Sequence, residues 1–91
     1  MSLKLTIPTA LRRFIGGADV VEVQPGTVLE IIENLNQNYP GFRERLLEDD
    51  QKLRRFINIY VDGEDIRFLS NLSTAVVDGS ELSIILAIAG G

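Results

Sequence analysis

Few residues of this chain could do chemistry, because its 91 residues include no cysteine and no histidine. Thiolate nucleophiles, imidazole bases, disulfides and Cys/His zinc sites are therefore excluded together. The serines and threonines have no histidine to activate them. The remaining candidates are carboxylates, namely two acidic clusters at residues 48–50 and 62–65 and the carboxylate that follows Gly90 and Gly91.

The two acidic clusters are typical of solvated turns rather than of a catalytic site. General acid–base catalysis needs carboxylates held in a pocket with separated pKa values. The calcium-binding pattern D-x-[DN]-x-[DN]-G is absent, and Gly16-Gly17 lacks the lysine and Ser/Thr of a phosphate-binding loop. The sequence thus predicts no catalytic residue, no metal site and no bound cofactor, and an independent enzyme is the least favoured function.

The two glycines at the end of the sequence follow a strongly apolar run. Glycine lets another protein approach the backbone closely, and residues 87–91 (the tail) would reach roughly 17 Å when extended at ~3.3 Å per residue. We therefore expect the tail to enter a narrow channel in a partner protein, with Gly91 leading and Gly90, Ala89 and Ile88 behind it. The alternative is a frayed chain end.

Length and composition predict one domain over residues 1–91 with a single modest core and a flexible tail. The net charge is −4, and no basic run is longer than a pair. Nucleic acid is therefore a disfavoured partner. The sequence has neither a long apolar stretch nor a signal-peptide pattern, so we expect no membrane contact and a cytoplasmic location.

The elements that must position the tail begin with a predicted β-hairpin. Residues 3–8 alternate apolar and polar, and Pro8 should end this strand. Residues 11–14 are predicted as a short connection, and residues 19–24 as the second strand. A Thr27/Glu30 capping box then predicts the one long helix over residues 28–38. We expect a helical turn or two within residues 42–53, followed by a loop.

The second half of the chain predicts three more strands. Residues 55–61 are the clearest, and Asp62-Gly63 is a two-residue hairpin signal that leads to a short return strand at residues 64–67. Residues 68–77 read as irregular, and residues 81–88 as the final strand. This order indicates an α+β fold, the β-grasp or ubiquitin-like arrangement. We expect a mixed, mostly antiparallel sheet of four to five strands with the last strand central and one main crossing helix.

One face of this sheet is a candidate docking surface. If Ile57, Ile59 and Val61 face the core, strand alternation turns Phe56 and Tyr60 outward. Ile85 of the last strand also points outward, and neighbouring strands lie about 5 Å apart. The three outward side chains would form an apolar patch that leads toward the tail. The alternative is that residues 42–53 cover this face.

Three blocks of the sequence resemble the MoaD/ThiS family of bacterial sulfur carriers. They are Ile-Pro-Thr at residues 7–9 followed by Leu11 and Arg12, the block at residues 56–68, and Asp78-Gly79 followed by an apolar strand that ends in Ala-Gly-Gly. The likeness covers nearly the whole chain. The middle block is most similar to the CysO-type carriers of cysteine biosynthesis.

The resemblance implies a mechanism that acts on Gly91. Its carboxylate is ionised at pH 7, since α-carboxyl groups titrate near ~3.5, and its carbonyl carbon is a poor electrophile until it is activated. An E1-like partner of the MoeB/ThiF type would use ATP and Mg²⁺ to form an acyl-adenylate. A sulfur donor would then displace AMP and leave a thiocarboxylate. The accepting partner would be a cysteine synthase or, in a molybdopterin route, a MoaE-like subunit.

Other functions remain as alternatives at this point. MoaD-type tails commonly carry prolines before the terminal glycines, and Leu86-Ala87-Ile88-Ala89 does not; this departure weakens the molybdopterin assignment. A ubiquitin-like modifier would use the same activation and then join Gly91 to lysines of other proteins. A β-grasp binding module without covalent chemistry would not need the glycines.

Overall fold

The computed structural model describes residues 2–49 and 52–87. The predicted tail positions Ile88, Ala89, Gly90 and Gly91 lie outside the described residues. The strands are β1 (Leu3–Thr6), β2 (Val20–Val23), β3 (Gly26–Thr27), β4 (Ile57–Val61), β5 (Glu64–Asp65), β6 (Ala75–Val76) and β7 (Glu81–Leu86). The α-helices are α1 (Val28–Asn38) and α2 (Phe42–Leu46), and 3₁₀-helices cover Thr9–Ile15, Ile66–Phe68 and Asn71–Ser73.

Five of these strands form a mixed sheet in the order β2-β1-β7-β4-β5. The predicted hairpin pairs β1 with β2, with Leu3 opposite Val23. Strand β7 lies between β1, to which it is parallel, and β4, to which it is antiparallel. The last strand is therefore central, and the β-grasp prediction is confirmed. A second sheet of two short strands pairs β3 with β6.

Helix α1 has the predicted bounds, and the predicted capping box lies at its start. The Thr27 hydroxyl oxygen accepts a hydrogen bond from the Glu30 backbone N–H at 3.1 Å, and a Glu30 carboxylate oxygen accepts from the Thr27 N–H at 2.8 Å. This reciprocal pair satisfies two backbone donors that the first turn of a helix leaves open. The apolar stripe of α1 is buried at Val28, Ile31, Ile32 and Leu35.

Replacing Thr27 with alanine removes the acceptor of the capping box. We expect the free energy of unfolding to fall by about 0.5–2 kcal/mol, the usual range for loss of a helix N-cap. Chemical denaturation of both proteins measures the difference. Thr9→Ala, at an exposed threonine, should change the stability by no more than about 0.5 kcal/mol. Equal effects of the two substitutions would contradict the assigned role of the cap.

Helix α2 adds to the core on the helical side of the sheet. Phe42 and Leu46 have no exposed side-chain surface, Leu47 is also buried, and α2 packs against α1. The helical turn predicted within residues 42–53 is thus present. Its apolar side chains fill the core, so the alternative that they cover the outer sheet face is wrong for the described part of this segment.

Two stretches differ from their sequence-based interpretation. Residues 11–14, predicted as a short connection, belong to the 3₁₀-helix Thr9–Ile15, which buries Leu11 and Ile15. The cause is the spacing of the apolar residues: Leu11 lies three residues before Phe14 and four before Ile15, which places their side chains on the same side of a helical turn. Residues 68–77, predicted as irregular, contain strand β6, and its partner strand β3 precedes it by almost fifty residues.

The turn between β4 and β5 has the predicted geometry. Asp62 and Gly63 both have positive φ, 52° and 85°, as a two-residue turn of type I′ requires. The return strand is shorter than expected and ends at Asp65, where a side-chain oxygen accepts the Arg67 N–H at 2.8 Å. This bond caps the 3₁₀-helix Ile66–Phe68, which replaces the last two residues of the predicted strand.

Candidate functional site: an exposed sheet face beside the tail

The alternation of β4 divides its side chains between the core and the outer face of the sheet. Ile57, Ile59 and Val61 are buried, whereas Tyr60 is half-buried on the opposite face. Phe56 lies just before β4 rather than within it, and half of its surface (50%) is exposed. The predicted inward and outward sets are therefore both observed.

Ile85 extends this outward set onto the central strand. It is 45% exposed and lies opposite Asn58 in the antiparallel pair. Phe56 and Tyr60 lie two residues to either side of Asn58, which makes them diagonal neighbours of Ile85, within reach of large side chains. We call Phe56, Tyr60 and Ile85, with Asn58 between them, the docking face.

A groove continues the docking face toward β1. It has a volume of about 420 Å³ and is lined by residues 6–10, Arg12 and residues 84–86. The Arg12 guanidinium Nε donates to the Ile7 carbonyl oxygen at 3.1 Å, which links two residues of the groove lining. Because β1 and β7 are parallel, this groove lies at the same end of the sheet as the start of the tail.

The tail begins from the docking face itself. The Ala87 backbone N–H donates to the Phe56 carbonyl oxygen at 2.8 Å, one pair beyond Ile57 and Leu86, where β4 begins and β7 ends. Ala87 is the first residue of the tail and the last that the structure describes. The roles of Ile88, Ala89, Gly90 and Gly91 remain predictions, since these residues lie outside the described part of the chain.

Sequence reasoning missed Arg67. Its guanidinium donates to the Asn58 side-chain oxygen at 2.6 Å, to the Ile57 carbonyl oxygen at 2.8 Å and to the Arg54 carbonyl oxygen at 3.1 Å. An Asp65 carboxylate oxygen lies 3.8 Å away. No spacing rule connects an arginine with carbonyl groups ten and thirteen residues earlier, so no signal in the sequence marked this cluster.

The acidic clusters do not form a metal site in the described part of the chain, where no three potential ligands converge. Asp62 has a structural role, because one of its carboxylate oxygens accepts the Glu81 backbone N–H at 2.9 Å. This contact agrees with the turn function predicted for residues 62–65. Among residues 2–49 and 52–87, no helix has the length and apolar character needed to cross a membrane.

Comparisons with known proteins agree with this architecture. The profile of the ThiS family matches residues 5–91. The sulfur carrier protein CysO of Mycobacterium tuberculosis is 43% identical over 93 aligned positions, which cover all of both chains. A chain of the crystal structure of the Amycolatopsis orientalis BexX/CysO complex superposes with a TM-score of 0.89 at 45% identity, covering 97% of this chain and 98% of that one.

A more distant structural relative is the small archaeal modifier protein 1 of Methanosarcina acetivorans. Its solution structure superposes with a TM-score of 0.82 at 25% identity, and the match covers 99% of this chain and 96% of that one. The fold is thus similar both to sulfur carriers and to a protein named as a modifier.

Proposed function

The chain belongs to the ThiS family, and from this premise we propose that it is a sulfur carrier of the CysO type. The observation that carries the proposal is the 43% identity to CysO along the whole of both chains. The chain would be a co-substrate that a partner enzyme modifies, and it would supply no catalytic side chain of its own.

The proposed chemistry takes place at the Gly91 carboxylate. A carboxylate oxygen attacks the α-phosphorus of ATP, pyrophosphate leaves, and an acyl-adenylate forms. Sulfur at the oxidation level of sulfide, delivered by the sulfur donor as HS⁻, then attacks the carbonyl carbon, AMP leaves, and a thiocarboxylate remains. An E1-like enzyme of the MoeB/ThiF type would supply the site for ATP and Mg²⁺. The carrier contributes a tail thin enough to enter that site and a face by which it is held.

The docking face is the surface that we propose to contact the activating enzyme. Two of its apolar side chains are about half exposed, and the tail starts beside them through the bond between Ala87 and Phe56. A partner bound to this face would therefore receive the tail directly. Aromatic anchors near the centre of an interface carry much of the binding energy. We therefore expect the exposed aromatic side chain of Phe56 to contribute the largest share of the binding energy at this face.

Phe56→Ala is expected to raise the KM of the activating enzyme for this carrier about tenfold, because loss of an aromatic anchor costs ~1–2 kcal/mol. Steady-state adenylation assays with varied carrier measure this change. Phe68→Ala is the matched control, since Phe68 is 86% exposed and lies off the docking face. If both variants have the KM of the wild-type protein, the docking face is not the enzyme-binding surface.

Intact-mass measurement tests the carrier function itself. The chain is incubated with ATP, Mg²⁺, a MoeB/ThiF-type enzyme from the same organism and a sulfur donor. We expect a mass gain equal to the replacement of one oxygen atom by sulfur. An unchanged mass, with an enzyme shown to be active on another carrier, would contradict the proposal and favour a non-covalent binding module.

The sulfur acceptor proposed here is a cysteine synthase bound to an activated serine derivative. Identity to CysO supports this choice, and the tail lacks the prolines common in MoaD-type subunits. A MoaE-like acceptor remains the alternative within the family. The likeness to a small archaeal modifier supports a second candidate function, attachment of Gly91 to lysines of other proteins. Isopeptide-linked conjugates in cells that express a tagged chain would identify that function.

A further inference from the structure

Strand β5 ends at Asp65, and Arg67 lies two residues beyond this end. In the β4–β5 pair, Tyr60 lies opposite Asp65, and extending this register by two residues would place Arg67 opposite Asn58. The backbone instead turns into the 3₁₀-helix Ile66–Phe68. The Arg67 side chain reaches back to the Asn58 side chain and to the Ile57 carbonyl oxygen.

The Ile57 carbonyl group needs such a partner because of its direction. The bond from Ala87 to the Phe56 carbonyl oxygen shows that the carbonyl group of Phe56 points toward β7. Successive carbonyl groups of a strand point to opposite sides. The carbonyl group of Ile57 therefore points the other way, toward the edge of β4 that the short strand β5 leaves unpaired. The Arg67 guanidinium supplies the donor there that a longer β5 would have supplied.

The same guanidinium fixes the turn that precedes β4. One nitrogen of Arg67 donates to both the Arg54 and the Ile57 carbonyl oxygens. The Ile57 N–H also donates to the Arg54 carbonyl oxygen at 3.0 Å, which closes the turn. Phe56 lies inside this turn, so the position of its carbonyl group, and hence of the Ala87 N–H bound to it, depends on Arg67.

We infer that Arg67 is a positioning residue for the tail, holding Phe56 and Ala87 so that the residues beyond Ala87 start in a fixed direction. The inference rests on the proposed function, in which the activating enzyme must receive Gly91. A shift of about 1 Å in a reacting group can cost a hundredfold in rate. A loosened start of the tail therefore lowers the turnover of the bound carrier rather than its binding.

Arg67→Ala and Arg67→Lys test this inference in two ways. Lysine keeps the charge but cannot present the planar fork of donors, so we expect partial rescue. The first measurement is hydrogen–deuterium exchange in the free protein. We expect the Ala87 amide to exchange about tenfold faster in Arg67→Ala, whereas the Ser83 amide, within β7, keeps the wild-type rate. Arg13→Ala, which removes the same charge from the 3₁₀-helix Thr9–Ile15, should change neither rate.

The second measurement is adenylation at varied carrier concentration. We expect kcat to fall about tenfold in Arg67→Ala with KM changed less than in Phe56→Ala, and Arg67→Lys to recover part of kcat. Unchanged Ala87 exchange, or faster exchange with unchanged kcat, overturns the inference. If Arg67→Ala does not fold, the same two criteria apply to Arg67→Lys. A wild-type chain that is not adenylated at all overturns the proposed function instead, while Ala87 exchange still reports whether Arg67 holds the start of the tail.

Discussion

Replacing Gly91 with alanine is expected to lower the rate of adenylation by about 100-fold, the cost of misplacing a reacting group by roughly 1 Å. In the proposed function, the added methyl group would clash with the wall of the narrow channel that receives the tail. It also removes the free access to positive φ that glycine has. The reacting carboxylate is attached directly to the altered Cα atom, so no flexible side chain can absorb the displacement. Pyrophosphate release with a saturating concentration of the carrier measures the rate.

The control for this substitution is Ala75→Gly, which removes one methyl group at the exposed residue of β6 in the small sheet. We expect the wild-type adenylation rate for this variant and an unchanged melting temperature for Gly91→Ala. Adenylation of Gly91→Ala at the wild-type rate would show that the activating enzyme does not require glycine at position 91. That result would contradict the proposed reason for the terminal glycine.

Replacing Phe42 with alanine is expected to destabilise the fold by about 3–5 kcal/mol, the range for removal of a buried phenylalanine side chain. Phe42 has no exposed surface and lies in α2, which contacts both α1 and the 3₁₀-helix Thr9–Ile15. A cavity at this position therefore affects several elements at once. Urea denaturation followed by circular dichroism measures the change.

Two other phenylalanines make this prediction specific. Phe68→Ala, at a side chain that is 86% exposed, should alter the free energy of unfolding by no more than about 0.5 kcal/mol. Phe56→Ala should destabilise much less than Phe42→Ala and act mainly on the KM for the activating enzyme. A Phe42→Ala protein as stable as Phe68→Ala would mean that α2 is not part of the core.

Local signals account for the parts of the fold that the sequence predicted. The capping box of Thr27 and Glu30 lies within four residues, and the Asp62-Gly63 turn needs only the two residues that form it. The alternation of residues 57–61 likewise fixes which side chains face the core. The outward direction of Phe56, Tyr60 and Ile85 follows from the same alternation along the two neighbouring strands.

Contacts between distant residues account for what the sequence did not predict. Strands β3 and β6 have two residues each, too few to show any periodicity, and their pairing joins separate parts of the chain. The Arg67 contacts depend on where β5 ends, and the pattern of apolar and polar residues does not show that this strand ends at Asp65. The 3₁₀-helix Thr9–Ile15 is different, because Leu11, Phe14 and Ile15 have helical spacing, although residues 11–14 were predicted as a short connection.

The central place of β7 has a consequence for protein synthesis. The parallel partner of Glu81 is Lys4. Strand β1 is synthesised first and β7 last, so the centre of the sheet cannot form until β7 has left the ribosome. Pairings this far apart in sequence form late in folding. A chain whose translation stops before β7 leaves β1 and β4 with unpaired edges, which favours aggregation or degradation. In this topology a chain that stops before β7 cannot complete the sheet, so such truncated copies would not compete as folded molecules for the activating enzyme proposed above.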